Sequence, residues 1–177
     1  MKKYFRYLLI LITLLGINAC TPKFDWREFR SQDAPIIALF PGKPASHVRE
    51  VDLDGIKVNL HMTAADVNQI SFAIAYAKIE DKSVDQPMLL AQQQRALSAM
   101  QAGMLKNIQA TITQPTPTDA PKNTITAIGK SQNGQAIKLV ARFTQHGPWI
   151  VQAVMLGNDK AFTPEVMDMF FGSLKFN

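Results

Sequence analysis

The sequence predicts an α+β fold: a single domain in which an antiparallel sheet of about six strands packs against one long and one short helix. Segments that alternate apolar and polar residues occur before and after residues 85–107, and turn signals separate them. Residues 85–107 instead carry apolar residues at helical spacing, and a shorter helical pattern follows residue 163. Three strands, a long helix, three strands and a short helix, in that order, are typical of this fold class.

A cleavable leader precedes the domain. Three basic residues stand near its start, Lys2, Lys3 and Arg6, and an apolar run follows over residues 8–17. A basic head, an apolar run of about 7–15 residues and a small residue at the cut define a secretory signal. The run of 10 residues is too short for a membrane-spanning helix, which needs about 20. We therefore predict a signal peptide at residues 1–19, cleaved after Ala19.

The four residues Ile17-Asn18-Ala19-Cys20 resemble the lipobox of bacterial lipoprotein signals. The resemblance implies that Cys20 receives a diacylglycerol and an N-acyl chain such as palmitate, and two or more acyl chains anchor a protein stably. Because Thr21 rather than aspartate follows, it also implies the outer membrane of a bacterial cell envelope, with the domain facing the periplasm. Cys20 is the only cysteine, and acylation would account for a lone thiol in a secreted chain. The alternative is an uncleaved or differently cut signal, in which Cys20 is an ordinary residue.

Composition limits the partners and the size of the domain. Removing 19 leader residues from 177 leaves 158, an ordinary length for one domain. Three of the 19 basic residues and none of the 14 acidic residues lie in the leader. The remaining chain therefore has 16 basic and 14 acidic residues, a net charge of +2. The basic residues are scattered singly, which argues against nucleic acid as a partner. No disulfide can form, so core packing must supply the stability.

Residues 20–34 are predicted to be the lipidated N-terminus and a tether, and residues 35–177 the globular domain. Phe24, Trp26 and Phe29 make the tether unusually aromatic, so we expect at least one of them to dock on the domain.

The strands before the long helix are predicted from turn signals and alternation. Ile36–Phe40 reads as a strand that ends at the turn residues 41–44. Asp54-Gly55 suits a two-residue hairpin turn, which sets Leu53 opposite Ile56. The apolar face of that hairpin then holds Val51, Leu53, Ile56, Val58, Leu60 and Met62, and the other face pairs Asp52 with Lys57, Glu50 with Asn59 and Val48 with His61. A third long strand, at residues 70–79 after the two arms of the hairpin, has large apolar residues on one face and mainly alanines on the other, where a helix could approach closely.

The long helix is predicted at residues 85–107, with Asp85 as N-cap and Pro87 in the first turn. Its expected apolar stripe comprises Leu90, Leu97, Met100, Met104 and Ile108. The polar residues expected off that stripe include Gln92, Gln93, Gln94 and Arg95. Gly103 interrupts the pattern.

The C-terminal half is predicted to hold a proline-rich loop at 113–122 and strands at 123–130, 135–144 and 149–156. Asn133-Gly134 and His146-Gly147 mark the two hairpin turns. A short helix then starts after the cap Thr163, with an apolar stripe of Val166, Met169 and Phe170, and residues 174–176 add an edge segment.

Several phrases resemble the PsbP-like/DcrB-like superfamily of small α/β sandwiches. The matching pieces are FPGKP at 40–44, the central helix, the strand Trp149–Gly157 and MFFGSLKF at 169–176. The chain is especially similar to uncharacterised proteobacterial lipoproteins of this architecture. The resemblance implies an assembly or binding factor, and it supplies no functional residue because its motifs are structural.

Catalytic and metal chemistry find no support in the sequence, and no cofactor is expected. In the derived hairpin register His47 and His61 lie on opposite faces, and His146 lies in a turn, so a shared metal is not expected. No nucleophile elbow, phosphate loop or zinc-binding helix motif occurs.

The favoured hypothesis is therefore a lipid-anchored, periplasm-facing, non-enzymatic binding or accessory module with an envelope protein partner. Trp149 and Trp26 are the candidate binding surface, and His47 with Arg49 could line a polar mouth at the open end of the hairpin. One alternative is a carrier that holds a small apolar ligand between sheet and helix; its proposed lining is Met88, Met100, Met104, Met155, Met167 and Met169. An enzyme of unknown type is the other, and it would need acidic or basic groups that converge in a deep pocket.

Overall fold

The computed structural model describes residues 23–81, 83–114 and 123–177. The predicted signal peptide at 1–19, its cleavage after Ala19 and the lipidation of Cys20 lie outside these residues, as does most of the predicted loop at 113–122. The described chain has the predicted α+β architecture, with one long and one short helix and antiparallel sheets.

The described residues form ten strands and two α-helices. The strands of the N-terminal half are β1 (Arg27–Arg30), β2 (Ile36–Phe40), β3 (Ala45–Leu53), β4 (Ile56–Val67) and β5 (Ile70–Lys78). Helix α1 (Gln86–Asn107) follows, and then come β6 (Thr111–Gln114), β7 (Thr124–Lys130), β8 (Ala136–His146) and β9 (Trp149–Gly157). A 3-10 turn (Asp159–Ala161), helix α2 (Pro164–Ser173) and β10 (Lys175–Phe176) complete the chain.

Two sheets divide these strands. The large sheet has seven strands in the order β3-β4-β5-β9-β8-β7-β6, and the small sheet has three in the order β1-β2-β10. The large sheet therefore has one strand more than the approximate prediction, and the small sheet forms a separate layer. The small sheet and α2 cover one face of the large sheet, while α1 covers the other.

The first hairpin confirms the register derived from its turn. Asp54 and Gly55 both have positive φ, 58° and 82°, and Leu53 lies opposite Ile56. Asp52 pairs with Lys57 and Val48 with His61, as predicted. The positive φ of both turn residues is what a two-residue turn between twisted strands requires.

Each face of the large sheet builds its own hydrophobic core. On β5, Phe72 and Ile74 enter the first core, beneath the small sheet and α2, whereas Ala75 and Ala77 enter the second, beneath α1. The alanine face confirms the prediction that small residues let a helix approach this strand. Strand β9 is buried along most of its length because it is central and covered on both faces.

Both helices begin where the capping pattern predicted. The Asp85 carboxylate accepts a hydrogen bond from the N–H of Met88 at 3.0 Å, and Thr163 caps α2 in the same way at the N–H of Val166. Proline stands in the first turn of each helix, where its missing N–H costs no helical hydrogen bond.

The predicted helix stripes are wrong at three positions. Leu90 is exposed and Gln93 is buried, because α1 turns Leu89, Gln93, Ala96 and Leu97 toward the sheet. The side-chain N–H₂ of Gln93 donates to the carbonyl of Gly147 at 3.1 Å, while its Oε1 is buried without a hydrogen-bond partner among the described residues. On α2, Met169 is exposed, and Phe171 joins Val166 and Phe170 in the core.

The termini of the domain meet at β2. Strand β1 pairs with one edge of β2 and β10 with the other, so the predicted C-terminal edge segment is confirmed. Phe24, Trp26 and Phe29 all pack against the first core, which confirms that the aromatic segment docks. The folded domain therefore begins before residue 35, and residues 24–30 belong to it rather than to a tether. Strand β6 also corrects the sequence analysis, because it includes residues 113 and 114 of the predicted loop.

Candidate binding site

A concavity lined by both polar and apolar groups lies between the β1–β2 connection and the open end of the first hairpin. We call this concavity the polar cleft. Its volume is about 310 Å³, and the residues that define it here are Asp33, Ser46, Val48, His61, Thr63 and Tyr76.

The floor of the polar cleft is a stacked ring pair. His61 on β4 lies directly opposite Tyr76 on β5, and the two ring centroids are 5.1 Å apart at an angle of 16°. Directly opposed side chains of an antiparallel pair lie close enough to stack. The Tyr76 ring is buried, while the His61 side chain keeps 21% of its surface accessible.

The wall of the polar cleft comes from residues 29, 30, 32 and 33, and Ser31 holds this segment in place. Ser31 Oγ lies 2.8 Å from the Tyr76 hydroxyl and accepts hydrogen bonds from the N–H groups of Asp33 and Ala34. Asp33 Oδ2 lies 3.3 Å from His61 Nδ1. These contacts attach the small sheet to the large one at this end, and they place a carboxylate and an imidazole at the rim.

Burial and charge act together on the tyrosine. Burial is the main cause that raises the pKa of Tyr76, and the negative charge of Asp33 raises it further, while the hydrogen bond with Ser31 opposes both. The phenol therefore stays protonated as a hydrogen-bonding group.

The hydroxyl groups of the polar cleft bond to one another rather than to the imidazole. Ser46 Oγ lies 2.8 Å from Thr63 Oγ1, and Ser31 bonds to Tyr76. A nucleophile needs a base within hydrogen-bond reach, and among the described residues no hydroxyl has that relation to His61. The arrangement offers hydrogen-bond donors, acceptors and an aromatic ring to a group bound in the polar cleft.

The two tryptophans predicted to form a binding surface are both half-buried against the first core. Trp26 contacts Phe72 with 6.1 Å between ring centroids, and Trp149 contacts Tyr76 at 6.0 Å. They lie on the same face of the large sheet, at different points along β5, so they do not form one patch with each other. Lys78 Nζ lies 5.9 Å from the centre of the Trp149 ring.

The other candidate residues are dispersed. His47 lines the polar cleft, and Arg49 is exposed two residues further along β3. His146 stacks on Phe176 with 4.6 Å between the ring centroids, whereas His61 stacks on Tyr76. Among residues 23–81, 83–114 and 123–177 no group of three metal-ligating side chains comes together.

Sequence reasoning missed most of the polar cleft. Ser31, Asp33, Thr63 and Tyr76 were not singled out, because no local pattern brings residue 33 to residues 61 and 76. The one usable signal was the hairpin register, which set His61 on the face opposite the apolar one.

Comparison with known proteins finds no family model, no curated protein and no solved structure that matches this chain. In the part of the chain that the structure describes, neither helix combines the length and apolar content needed to cross a membrane.

Proposed function

We propose that this protein is a lipid-anchored, periplasm-facing accessory module of a bacterial envelope that binds another envelope protein and has no enzymatic role. The observation that carries the proposal is the leader, in which a basic head and a 10-residue apolar run precede Cys20. Phe24, four residues later, already packs against Phe72. Four residues span at most about 14 Å, so acylation of Cys20 would hold the domain close to the membrane surface.

The same proposal includes the kinship with PsbP-like and DcrB-like sandwiches that the phrases at 40–44 and 169–176 imply. Two features support it: the α+β architecture, and the position of Phe40 and Phe170 in one core, at 5.8 Å between ring centroids. Fold-level likeness is weak support for function, so no residue role is taken from it.

Anchoring is tested by Cys20→Ser in the host cell. We expect the wild-type chain to incorporate labelled palmitate and to fractionate with outer membranes, and Cys20→Ser to lose both properties. Thr21→Ser is the matched control and should change neither, whereas Thr21→Asp should move the protein to the inner membrane. Membrane fractionation of Cys20→Ser at native size, together with an unlabelled parent, would contradict the proposal.

Binding is supported by the open, polar character of the cleft. Gln32 is exposed at its rim, so a photocrosslinker at residue 32 should capture a partner that one at the exposed Gly103 does not. Trp26→Ala and Trp149→Ala should weaken that capture. Because both rings pack on the core, thermal unfolding must accompany these variants to separate lost binding from lost stability.

The carrier alternative receives less support from the packing. Met100 and Met104 pack beneath α1, whereas Met155 and Met167 pack beneath the small sheet, so the methionines do not line one space. The cavity between α1 and strands β7 and β8 has a volume of only about 110 Å³. Ligand pockets commonly have about 300–1,000 Å³.

A further inference from the structure

Strand β3 leaves one edge of the large sheet open. It pairs with β4 on one side, and no described strand pairs with the other. Its nine residues keep an unbroken register, contain no proline, and are exposed from residue 45 to residue 50. The opposite edge strand, β6, has only four residues and a bulge between Ile112 and Gln114. Because long regular edges attract further strands and bulges discourage them, β3 is the edge suited to receive a partner.

The hydrogen-bonding groups of this edge alternate. The two-residue turn makes Leu53 and Ile56 the hydrogen-bonded pair that closes the hairpin. Counting back from that pair, every second residue of β3 directs its backbone N–H and C=O away from β4. These residues are Ser46, Val48, Glu50 and Asp52.

The side chains along β3 present opposite charges on the two faces of the sheet. His47 and Arg49 share the face that α1 covers further along the strand, while Glu50 and Asp52 lie on the face of the polar cleft. Within the described residues neither Arg49 nor Glu50 forms an ion pair. Both charges are therefore available to side chains directly opposite them on an added strand.

A second copy of the chain does not fit this charge order. Two copies would pair their β3 strands antiparallel about a two-fold axis. If the axis passes beside Arg49, Glu50 or Asp52, that residue lies opposite the same residue of the other copy. If it passes beside Val51, Glu50 lies opposite Asp52. Like charges directly opposite one another are destabilising. An axis beside Val48 sets Arg49 opposite His47 and Glu50 opposite Ser46, so neither charge meets an opposite charge.

We infer that an extended segment of another envelope protein adds to β3 as an antiparallel eighth strand, an inference that rests on the proposed function. Its side chains opposite His47 and Arg49 are acidic, and those opposite Glu50 and Asp52 are basic. Opposite Val48, which is 49% exposed beside the polar cleft, it carries an apolar side chain. Main-chain hydrogen bonds hold such a strand, and alternate side chains select it.

A synthetic peptide tests this recognition directly. The probe Lys-Val-Lys-Glu-Phe-Glu-Thr, capped at both ends, places these residues opposite positions 52 to 46 in order. The control Glu-Val-Glu-Lys-Phe-Lys-Thr has the same composition with the charges exchanged. With the full-length protein in detergent, we expect the probe to bind about tenfold more tightly than the control, because the three charged cross-strand pairs at Arg49, Glu50 and Asp52 change sign. It should also slow amide hydrogen exchange at Val48 and Glu50.

Two variants separate edge pairing from other binding. Val48→Pro removes an outward N–H that the β3–β4 ladder does not use, so it should keep the fold and abolish probe binding. Arg49→Glu combined with Glu50→Arg inverts two of the three charged pairs and leaves Asp52 in favour of the probe, so it should remove the preference for the probe, whether or not the proline variant folds. Equal affinity of the wild-type protein for the two peptides, or protection outside β3, would overturn the inference.

The two proposals fail in different experiments. If the wild-type chain neither incorporates palmitate nor fractionates with membranes, the proposed anchor is wrong, and the peptide result is unaffected. A chain that is anchored but shows no charge preference would retain the proposed function and lose the inferred strand partner.

Discussion

At the scale of single residues, the polar cleft shows how buried polar groups position a surface. Tyr76 is buried yet keeps a partner for its hydroxyl, because Ser31 reaches it from the β1–β2 connection at 2.8 Å. Buried hydroxyls are costly without such partners. The tyrosine therefore ties residues 31–35 to the large sheet, and with them the carboxylate of Asp33.

Tyr76→Phe is expected to change stability in a pH-dependent way. At pH 8 it should lower the free energy of unfolding by about 1 kcal/mol through the lost hydrogen bond. Because burial raises the pKa of Tyr76, the wild-type protein should lose stability as the pH rises above about 10, where the unfolded tyrosine ionises first. The phenylalanine variant should lack that alkaline loss. Urea unfolding at pH 8 and at about pH 11 measures both.

A spectroscopic control is available for the same residue. The other two tyrosines, Tyr4 and Tyr7, lie in residues 1–19, so phenolate absorbance of a chain cleaved after Ala19 reports Tyr76 alone. A titration midpoint at or below that of free tyrosine would contradict the predicted direction.

At the scale of elements, helix α1 illustrates why a periodic pattern locates a helix better than it orients one. The stripe from Leu97 to Met104 was identified, but extending it backward selected Leu90, which is exposed. The buried face continues through Gln93 instead, since a carbonyl of the β8–β9 turn accepts its amide. A polar residue can enter a core when the fold supplies its partner.

Two glycines give a matched prediction for α1 and β7. Gly103 is exposed in the helix and no atom would lie within 4 Å of an added Cβ, so Gly103→Ala should stabilise the protein by about 0.5–1 kcal/mol. At Gly129 an added Cβ would lie 2.6 Å from the carbonyl oxygen of Ile108, which also accepts the N–H of Lys130. Gly129→Ala should therefore destabilise it. Urea unfolding of both variants checks the opposite signs, and equal effects would contradict the packing.

At the scale of the whole molecule, the large sheet is the shared wall of two cores. The first core joins both sheets and α2, and the second joins the large sheet to α1. Phe170 lies at the centre of the first, with ring centroids 5.8 Å from Phe40, 5.3 Å from Phe72 and 5.2 Å from Phe171. Unfolding should therefore be sensitive to α2 out of proportion to its length.

Phe170→Ala should lower the free energy of unfolding by about 3–5 kcal/mol, since it empties space among three other rings. Met169→Ala is the matched control. Its side chain is 45% exposed on the same helix, so its effect should stay within about 0.5 kcal/mol. Comparable losses for the two variants, measured by urea unfolding, would show that α2 docks in another orientation.

The predictions that the structure confirms to the residue concern positions close together in the chain. The Asp54-Gly55 turn and the alternation around it specified the first hairpin to the residue, because a slip of one position would reverse both faces. The caps Asp85 and Thr163 likewise depend only on the next three residues. The predictions that failed, at Leu90, Gln93 and Met169, concerned which side of a helix meets its neighbour.

The sequence by itself determined the α+β class, the first hairpin and the starts of both helices, because turn geometry, capping and alternation act over a few residues. Only the tertiary structure decided that β1 and β10 flank β2, that β6 extends the large sheet, and that Asp33 reaches His61. Those contacts join distant segments, and they form because two opposite faces of one sheet must both be covered.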